Sequence, residues 1–269
     1  MNRIVTKQVS SFPTPYQELN MVLERFVGAI GKALGDTFVG AYLQGSFALG
    51  DYDEHSDADF IVAVCEDLTV EQVERLQRVH HDIFEMPAAW AKHLEGSYFP
   101  LALLRSRAAS GAPLWYLDHG SRALVRSSHC NTLLVRVVLR EHGVTLAGRP
   151  VAELLDPIPV DALGREIRQT MAHWARDILN DPAPYRNRFY QGYIVLSYAR
   201  MLHDLVEGRP GSKRAGAEWA KQALGPQWRD LIDRAWATRP DPASSVRQPA
   251  EPTEFERSLE FMQLCVRRA

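Results

Sequence analysis

Two aspartates separated by one residue, Asp57 and Asp59, stand directly before an apolar, β-branched run (FIVAV). Such a run is typical of a buried strand. Because side chains alternate along a strand, both carboxylates are predicted to lie on one face, with Ala58 on the other. Paired carboxylates can hold Mg²⁺, which prefers oxygen ligands and keeps coordination positions open for phosphate oxygens. The pair therefore predicts a magnesium site at the start of a strand.

Gly45 and Ser46 follow another predicted strand, residues 37–43. A glycine lets the backbone approach a ligand closely, and backbone N–H groups with a serine hydroxyl can bind a phosphate. An isolated Asp-x-Asp is more often a solvated acidic turn. Here it follows a strand, Gly-Ser and ten intervening residues, and it leads into a second strand, so the combination favours phosphate chemistry. The other acids of the segment are predicted to be exposed loop residues: Asp51, Asp53 and Glu54.

The remaining patterns predict an α+β front half and an all-helical back half. A helix is expected from residue 14 or 15 to about 35, and Thr69 with Gln72 forms a predicted capping box that opens another helix. The other front-half strands are predicted at residues 58–65 and 94–104. Helices are predicted at residues 131–142, 160–179, 189–206, 212–224, 227–237 and 254–266, with a Pro-rich linker at about 239–252. We place the domain boundary between residues 125 and 126.

Composition narrows the class of protein. The formal net charge of −2 argues against a surface built for duplex nucleic acid. No window approaches the roughly 18 apolar residues of a membrane span, and the N-terminal segment lacks the apolar core of a signal peptide. The three cysteines form no CxxC pair, which predicts neither a zinc site nor a disulfide framework. We expect a soluble, cytoplasmic protein that acts as a monomer and binds no membrane.

Gly-Ser, ten residues and Asp-x-Asp together are similar to the signature of the polymerase-β-like nucleotidyltransferase superfamily. Three further segments resemble the C-terminal domain of the aminoglycoside adenylyltransferases that modify streptomycin and spectinomycin: REHGVTLAGRPVAELLDPIP (residues 140–159), YIVLSYAR (193–200) and SKRAGAEWA (212–220). The resemblance covers most of residues 37–237. It implies a polymerase-β-like nucleotidyltransferase domain, a mixed sheet with helices, followed by a helical C-terminal domain.

The same resemblance implies roles for individual residues. Gly45 and Ser46 would hold the nucleotide phosphates, while Asp57 and Asp59 would bind two Mg²⁺ ions. Glu95 falls where the family has its third acid, which binds metal and can act as the general base; a solvent-facing strand carboxylate is the alternative. Two cations match the positions that reach the triphosphate from the helical domain: Arg200 and Lys213. A surface role is the alternative for both, although a lysine at a helix start opposes the helix dipole, which favours function.

The implied reaction is transfer of AMP from ATP to a hydroxyl group of a small-molecule acceptor, such as an aminoglycoside, with release of pyrophosphate. The resemblance also implies a site in a cleft between the two domains. One segment departs from the family: residues 184–192 (PYRNRFYQG) are basic and aromatic, where relatives carry acidic residues. The rival hypothesis is a regulatory or antitoxin-like module that modifies a protein or RNA, or binds nucleotide without turnover.

Overall fold

The computed structural model describes residues 12–239 and 242–269. Residues 1–11, which hold most of the N-terminal segment discussed above, and residues 240 and 241 of the predicted linker lie outside the described residues. The chain divides into two compact units. The first unit runs to Gly50 and resumes over Ser56–Asp156; the second comprises Asp51–His55 and Pro157–Ala269.

The first unit is built on a six-stranded mixed sheet. Its strands are β1 (Phe38–Leu43), β2 (Ala58–Val64), β3 (Leu94–Pro100), β4 (Leu114–Leu117), β5 (Leu124–Ser127) and β6 (Val144–Gly148). Their order across the sheet is β5-β4-β3-β2-β1-β6. Strands β2 and β3 run parallel, whereas the other neighbouring pairs are antiparallel. The central strands are almost wholly buried, which explains why they read as continuous apolar runs.

Among the residues that the structure describes, five α-helices accompany this sheet: α1 (Gln17–Leu34), α2 (Gly45–Leu49), α3 (Val70–Phe84), α4 (Leu101–Arg105) and α5 (Leu133–His142). Leu19, Phe26 and Ile30 recur on one face of α1 and are fully buried. Thr69 caps α3, where it accepts from the Gln72 N–H while the Gln72 side chain accepts from the Thr69 N–H. The predicted capping box is confirmed.

The structure differs from the predicted boundary after residue 125. Strand β6 pairs with β1, and α5 precedes it, so residues 126–156 belong to the first unit. The predicted strand 94–104 also ends early, because the chain turns into α4 after Pro100. Local patterns are weak at these points, since β6 is a five-residue edge strand whose pairing with β1 spans about a hundred residues of sequence.

The second unit is helical, as predicted. Its helices are α6 (Val160–Asn180), α7 (Arg188–Glu207), α8 (Lys213–Ala223), α9 (Arg229–Ala237), α10 (Pro242–Ser245) and α11 (Pro252–Arg268). The middle of α7 is buried on nearly all sides. The end of the predicted linker, residues 248–250, packs against the start of α7: Arg188 N–H donates to the Gln248 carbonyl, and Ala250 N–H donates to the Arg186 carbonyl. Within the described ranges, no helix is long and apolar enough to cross a membrane.

Candidate active site

The turn after β1 brings Gly45 directly against Asp59. Gly45 has φ +62°, and a Cβ at this position would lie 2.0 Å from Asp59 Oδ2. The Gln44 N–H donates to the Asp59 carbonyl over 2.9 Å, which ties the two segments together. A glycine is therefore required here both for its backbone conformation and for space. Ser46 is the second residue of α2, after Gly45, and its hydroxyl is buried without a hydrogen-bond partner.

The carboxylates lie at the ends of the two parallel strands. Asp57 immediately precedes β2 and Asp59 is its second residue, while the intervening Ala58 is fully buried. The predicted alternation is therefore confirmed in the burial pattern. Asp59 is in register with Glu95 on β3. Because paired residues on parallel strands point to the same side of a sheet, the three acids occur at one edge of β2 and β3.

Glu95 is largely buried and already accepts hydrogen bonds. Tyr116 Oη donates to Glu95 Oε1 over 2.7 Å, and His129 Nε2 lies 3.4 Å from the same oxygen. Burial by itself raises the pKa of Glu95, but contacts with His129 and Tyr116 outweigh it and hold that pKa below its usual range. The same contact with Glu95 raises the pKa of His129. Glu95 is thus kept ionised, as both a metal ligand and a proton acceptor must be.

Two histidines that the sequence analysis did not select lie beside Asp57. His119 Nε2 is 3.2 Å from Asp57 Oδ1, His93 Nδ1 is 4.0 Å from it, and the two ring nitrogens are 2.9 Å apart. His93 precedes β3 and stands next to Asp57 because Ala58 pairs with Leu94. A signal was present in the sequence: His93 and Glu95 show the same one-residue spacing as Asp57 and Asp59.

The arrangement fits Mg²⁺, the ion that the sequence resemblance implies. Hard carboxylate ligands occur together on neighbouring strand ends, and the partnerless hydroxyl of Ser46 lies in the adjoining turn. Asp57, Asp59 and Glu95 would hold the metal, and Gly45 with Ser46 would contact phosphate. These assignments remain predictions.

The two predicted phosphate-binding cations belong to the second unit. Arg200 lies on α7 and Lys213 is the first residue of α8, where Lys213 Nζ is 4.7 Å from the ring centroid of Tyr193. Tyr193 is about two turns before Arg200 on α7, so Lys213 contacts the face of α7 that carries Arg200. The Arg200 Nε is buried without a hydrogen-bond partner.

A buried carboxylate fixes the turn that leads to Lys213. Asp204 Oδ1 accepts from the Gly211 N–H over 2.7 Å, and Asp204 is 1% exposed. Burial raises the pKa of Asp204 above its usual value. The next residue, Ser212, caps α8 by accepting from the Ala215 N–H. Lys213 thus starts α8 from a turn that Asp204 Oδ1 and Ser212 hold, while Asp204 Oδ2 is buried without a hydrogen-bond partner.

Asp51 and Asp53 are not the exposed loop residues that we predicted. Asp51 accepts from Ser212 Oγ and pairs with Arg214 at 3.0 Å. Asp53 pairs with Arg239. These interactions place the segment between the Gly-Ser turn and the aspartate pair within the helical unit. Glu54 is exposed, as predicted.

The start of α7 is where the sequence lacks acidic residues. Its arginines are engaged: Arg186 pairs with Glu256 at 3.0 Å, and Arg188 contacts Gln248. A cavity of about 330 Å³ lies beside this segment, and its polar lining is contributed by Arg188, Gln191, Arg234, Thr238, Glu251 and Glu254. Carboxylates from α11 and the residue before it therefore approach the start of α7 in space, although Glu254 is itself paired with Arg234.

Comparison with known proteins agrees with this fold. A spectinomycin adenyltransferase from Enterococcus faecialis, solved with ATP and spectinomycin, superposes with a TM-score of 0.68 over 92% of this chain and 98% of that protein, at 16% identity. The mixed sheet with its helices and the helical second unit are thus the fold of a nucleotidyltransferase.

The sequence comparisons are more specific. Residues 153–262 match the family model of the aminoglycoside adenylyltransferase C-terminal domain. Aminoglycoside (3'') (9) adenylyltransferases from Shigella flexneri and Klebsiella pneumoniae are 24% and 25% identical over 80% and 78% of this chain, and 83% and 81% of those proteins. These similarities support the prediction, made from the sequence resemblance, of an enzyme of the aminoglycoside adenylyltransferase branch of the nucleotidyltransferases.

Proposed function

We propose that the protein transfers AMP from ATP to a hydroxyl group of an aminoglycoside and releases pyrophosphate. One observation supports this function above the others. The acids Asp57, Asp59 and Glu95 occur together on neighbouring strand ends, with the Gly45–Ser46 turn against Asp59. The same chain is similar over about four-fifths of its length to adenylyltransferases named for aminoglycosides.

In this proposal, Asp57 and Asp59 hold two Mg²⁺ ions together with Glu95. When bound, such ions neutralise phosphate charge and activate the attacking oxygen. The residues of the chain supply position and charge. Gly45 lets the backbone of this turn approach Asp59 closely, so that its N–H groups can contact the nucleotide phosphates, and the Ser46 hydroxyl donates a hydrogen bond to one of them.

Glu95 accepts the proton of the acceptor hydroxyl. Its ionised state suits this role, because a carboxylate that is already deprotonated at neutral pH can take a proton as the new bond to phosphorus forms. Tyr116 and His129 hold Glu95 Oε1 in place. Asp118 Oδ1 lies 2.9 Å from the same Tyr116 hydroxyl, whose single hydrogen it shares with Glu95.

Lys213 and Arg200 contribute positive charge toward the triphosphate. Lys213 is held by its contact with Tyr193, and the partnerless Arg200 Nε offers a donor. Fixed cations stabilise charge that develops on the leaving pyrophosphate without having to reorganise during the reaction. Because the reaction consumes ATP, we propose a cytoplasmic location, and we expect the active species to be a monomer.

The experiment is a transfer assay with α-labelled ATP, Mg²⁺ and a panel of acceptors that includes spectinomycin, streptomycin and aminoglycosides of other types. We expect one or more acceptors to gain the mass of an adenylyl group, with release of one pyrophosphate for each conjugate. Asp59→Asn protein serves as the inactive control. Labelling of the protein itself or of added RNA, with no conjugate of any small acceptor, would instead favour the regulatory alternative.

A further inference from the structure

Asp57, His93 and His119 form a compact group of possible metal ligands in the first unit. One ligand atom from each residue lies within 4.8 Å of the other two. Their side chains are 40%, 38% and 25% exposed, so the group is partly sheltered and still open to solvent on one side. The proposed function uses only Asp57 of these three residues.

The distances suit a single ion. Asp57 Oδ1, His93 Nδ1 and His119 Nε2 are separated by 2.9, 3.2 and 4.0 Å. A circle through three such atoms has a radius of about 2.0 Å, which matches the ~2.0–2.1 Å bonds that Zn²⁺ makes to imidazole nitrogen and carboxylate oxygen. An ion placed there would contact all three atoms without any movement of the strands.

The ligand types select against magnesium at the imidazoles. Mg²⁺ prefers oxygen and keeps most of its water, whereas imidazole suits Zn²⁺, Co²⁺, Ni²⁺ and Cu²⁺. Three protein ligands with further positions open to solvent are also the pattern of catalytic rather than structural zinc sites. The nearby cation Lys92 donates to the Met86 and Ala88 carbonyls, so its ammonium is directed to the backbone.

We propose that Asp57, His93 and His119 form a binding site for a first-row transition-metal dication. The inference deepens the proposed function, and rests on it in so far as Asp57 is also assigned there to Mg²⁺. The site can therefore take an ion of the Co²⁺ or Zn²⁺ type at the position where the family resemblance implies only magnesium. Metal binding itself needs neither ATP nor an acceptor and can be measured alone.

The test uses the full chain, stripped of metal with a chelator. Co²⁺ is titrated while its visible d–d absorption is followed, and Zn²⁺ is then added as a competitor. We expect one equivalent of Co²⁺ to bind with the absorption of a four- or five-coordinate ion, Zn²⁺ to displace it, and excess Mg²⁺ to leave most of it bound. His93→Gln and His119→Gln should each weaken Co²⁺ binding by at least about tenfold.

A matched control is His173→Gln, because His173 is 71% exposed and contacts a carboxylate, Asp177, outside this group. It should bind Co²⁺ as the wild type does. Equal Co²⁺ affinity in the wild type and in both folded histidine variants would overturn the inference. Cu²⁺ provides a second measurement: its EPR spectrum should show coupling to two nitrogens in the wild type, and coupling to none would also overturn it.

The two proposals fail separately. A wild-type protein that transfers AMP with Mg²⁺ but binds no Co²⁺ at these residues loses only the transition-metal site. A protein that binds Co²⁺ through both histidines but adenylylates no acceptor keeps this site, while the proposed function is lost.

Discussion

Two parts of the chain, Gly45 and β3, lie next to Asp59. The backbone of Gly45 lies against its carboxylate, and Glu95 is its neighbour across the parallel strands. We expect Asp59→Asn to remove nearly all AMP transfer, because the amide keeps the shape but loses the charge that holds a metal. Steady-state pyrophosphate release measures this. Glu54→Gln is the matched control, since Glu54 is an exposed acid in the same stretch of chain. Retention of more than about a tenth of the activity by Asp59→Asn, a loss below ~1.4 kcal/mol, would remove Asp59 from the metal site.

Glu95 is proposed to accept the proton of the acceptor hydroxyl, while Asp57 and Asp59 supply most of the metal coordination that holds ATP. Glu95→Gln should therefore lower kcat by about 10²–10⁴-fold, the usual effect of losing a general base. ATP affinity, measured by calorimetry with a non-hydrolysable analogue and Mg²⁺, should change little. If ATP affinity falls in parallel with kcat, Glu95 is chiefly a metal ligand; if neither changes, it has no part in the reaction. Glu141→Gln, an exposed acid of α5, controls for the loss of a charge.

The burial of His80 makes the stability of the first unit depend on pH. It is fully buried, contacts Tyr98 Oη at 2.8 Å and stacks on Phe60, and burial lowers its pKa from 6.5 to about 3. Below pH 6.5 the unfolded chain therefore binds a proton at His80 that the folded chain does not bind. Stability from this group is complete above pH 6.5 and is lost as the pH falls toward 3, by up to about 1.4 kcal/mol per pH unit.

The corresponding measurement is urea unfolding at about pH 6 and about pH 4.5, on the wild type and on His80→Gln. Other groups titrate in this range as well, so the difference in slope between the two proteins is the quantity of interest. We expect a shallower loss of stability in His80→Gln. Parallel slopes would show that His80 becomes protonated within the folded protein.

At the scale of elements, the role of Gly45 at the start of α2 can be tested by comparison with Gly50 at the end of that helix. Gly45 and Gly50 both have positive φ, +62° and +71°, but only at Gly45 would a Cβ meet Asp59. Gly45→Ala and Gly50→Ala should each lose stability of the order of 1 kcal/mol from backbone strain. Only Gly45→Ala should also lose AMP transfer, because the Cβ displaces the carboxylate. Equal activity in the two variants would show that the close approach of Gly45 is not needed for the reaction.

The elements that the sequence predicted well are those with strong local signals. The helix α1 follows its apolar periodicity, β2 follows its β-branched run, and α3 follows its capping box. Strand β6 and the short pair β4 and β5 were missed, because four or five residues give little periodicity and their places depend on distant partners. The observed domain boundary differs from the predicted one for the same reason, because the pairing of β6 with β1 holds residues 126–156 in the first unit.

The candidate site shows the same division. Gly45, Ser46, Asp57 and Asp59 are close together in sequence, so their spacing alone predicts their association. His93 and His119 come from two other strand ends, and their distance from Asp57 is set by the registers of β2 with β3 and of β3 with β4. The surroundings of residues 184–192 could likewise not be predicted from the sequence, because Glu251 and Glu254 approach the start of α7 from sixty residues further along the chain.

At the scale of the whole molecule, the proposed carboxylates and the proposed cations come from different units of the chain. Whether the helical unit contributes to nucleotide affinity is therefore a direct question about Lys213. Lys213→Ala should weaken binding of ATP with Mg²⁺ by about 1.5–3 kcal/mol, the range for a hydrogen bond to a charged group. Calorimetry measures this, with Arg209→Ala as the control because Arg209 is 75% exposed. Unchanged affinity in Lys213→Ala would leave the lysine with only its contact to Tyr193.

The location of residues 51–55 within the helical unit has a consequence for biosynthesis. This segment joins the Gly-Ser turn to the aspartate pair, yet Asp51 and Asp53 are held by Ser212, Arg214 and Arg239, which the ribosome adds about 160 to 190 residues later. Domains usually fold in order as they emerge. Here a nascent chain that contains β1 and β2 lacks these three partners of the connecting segment until Arg239 has been added. Premature termination after the first unit would leave every proposed carboxylate in the chain but would remove Ser212, Arg214 and Arg239.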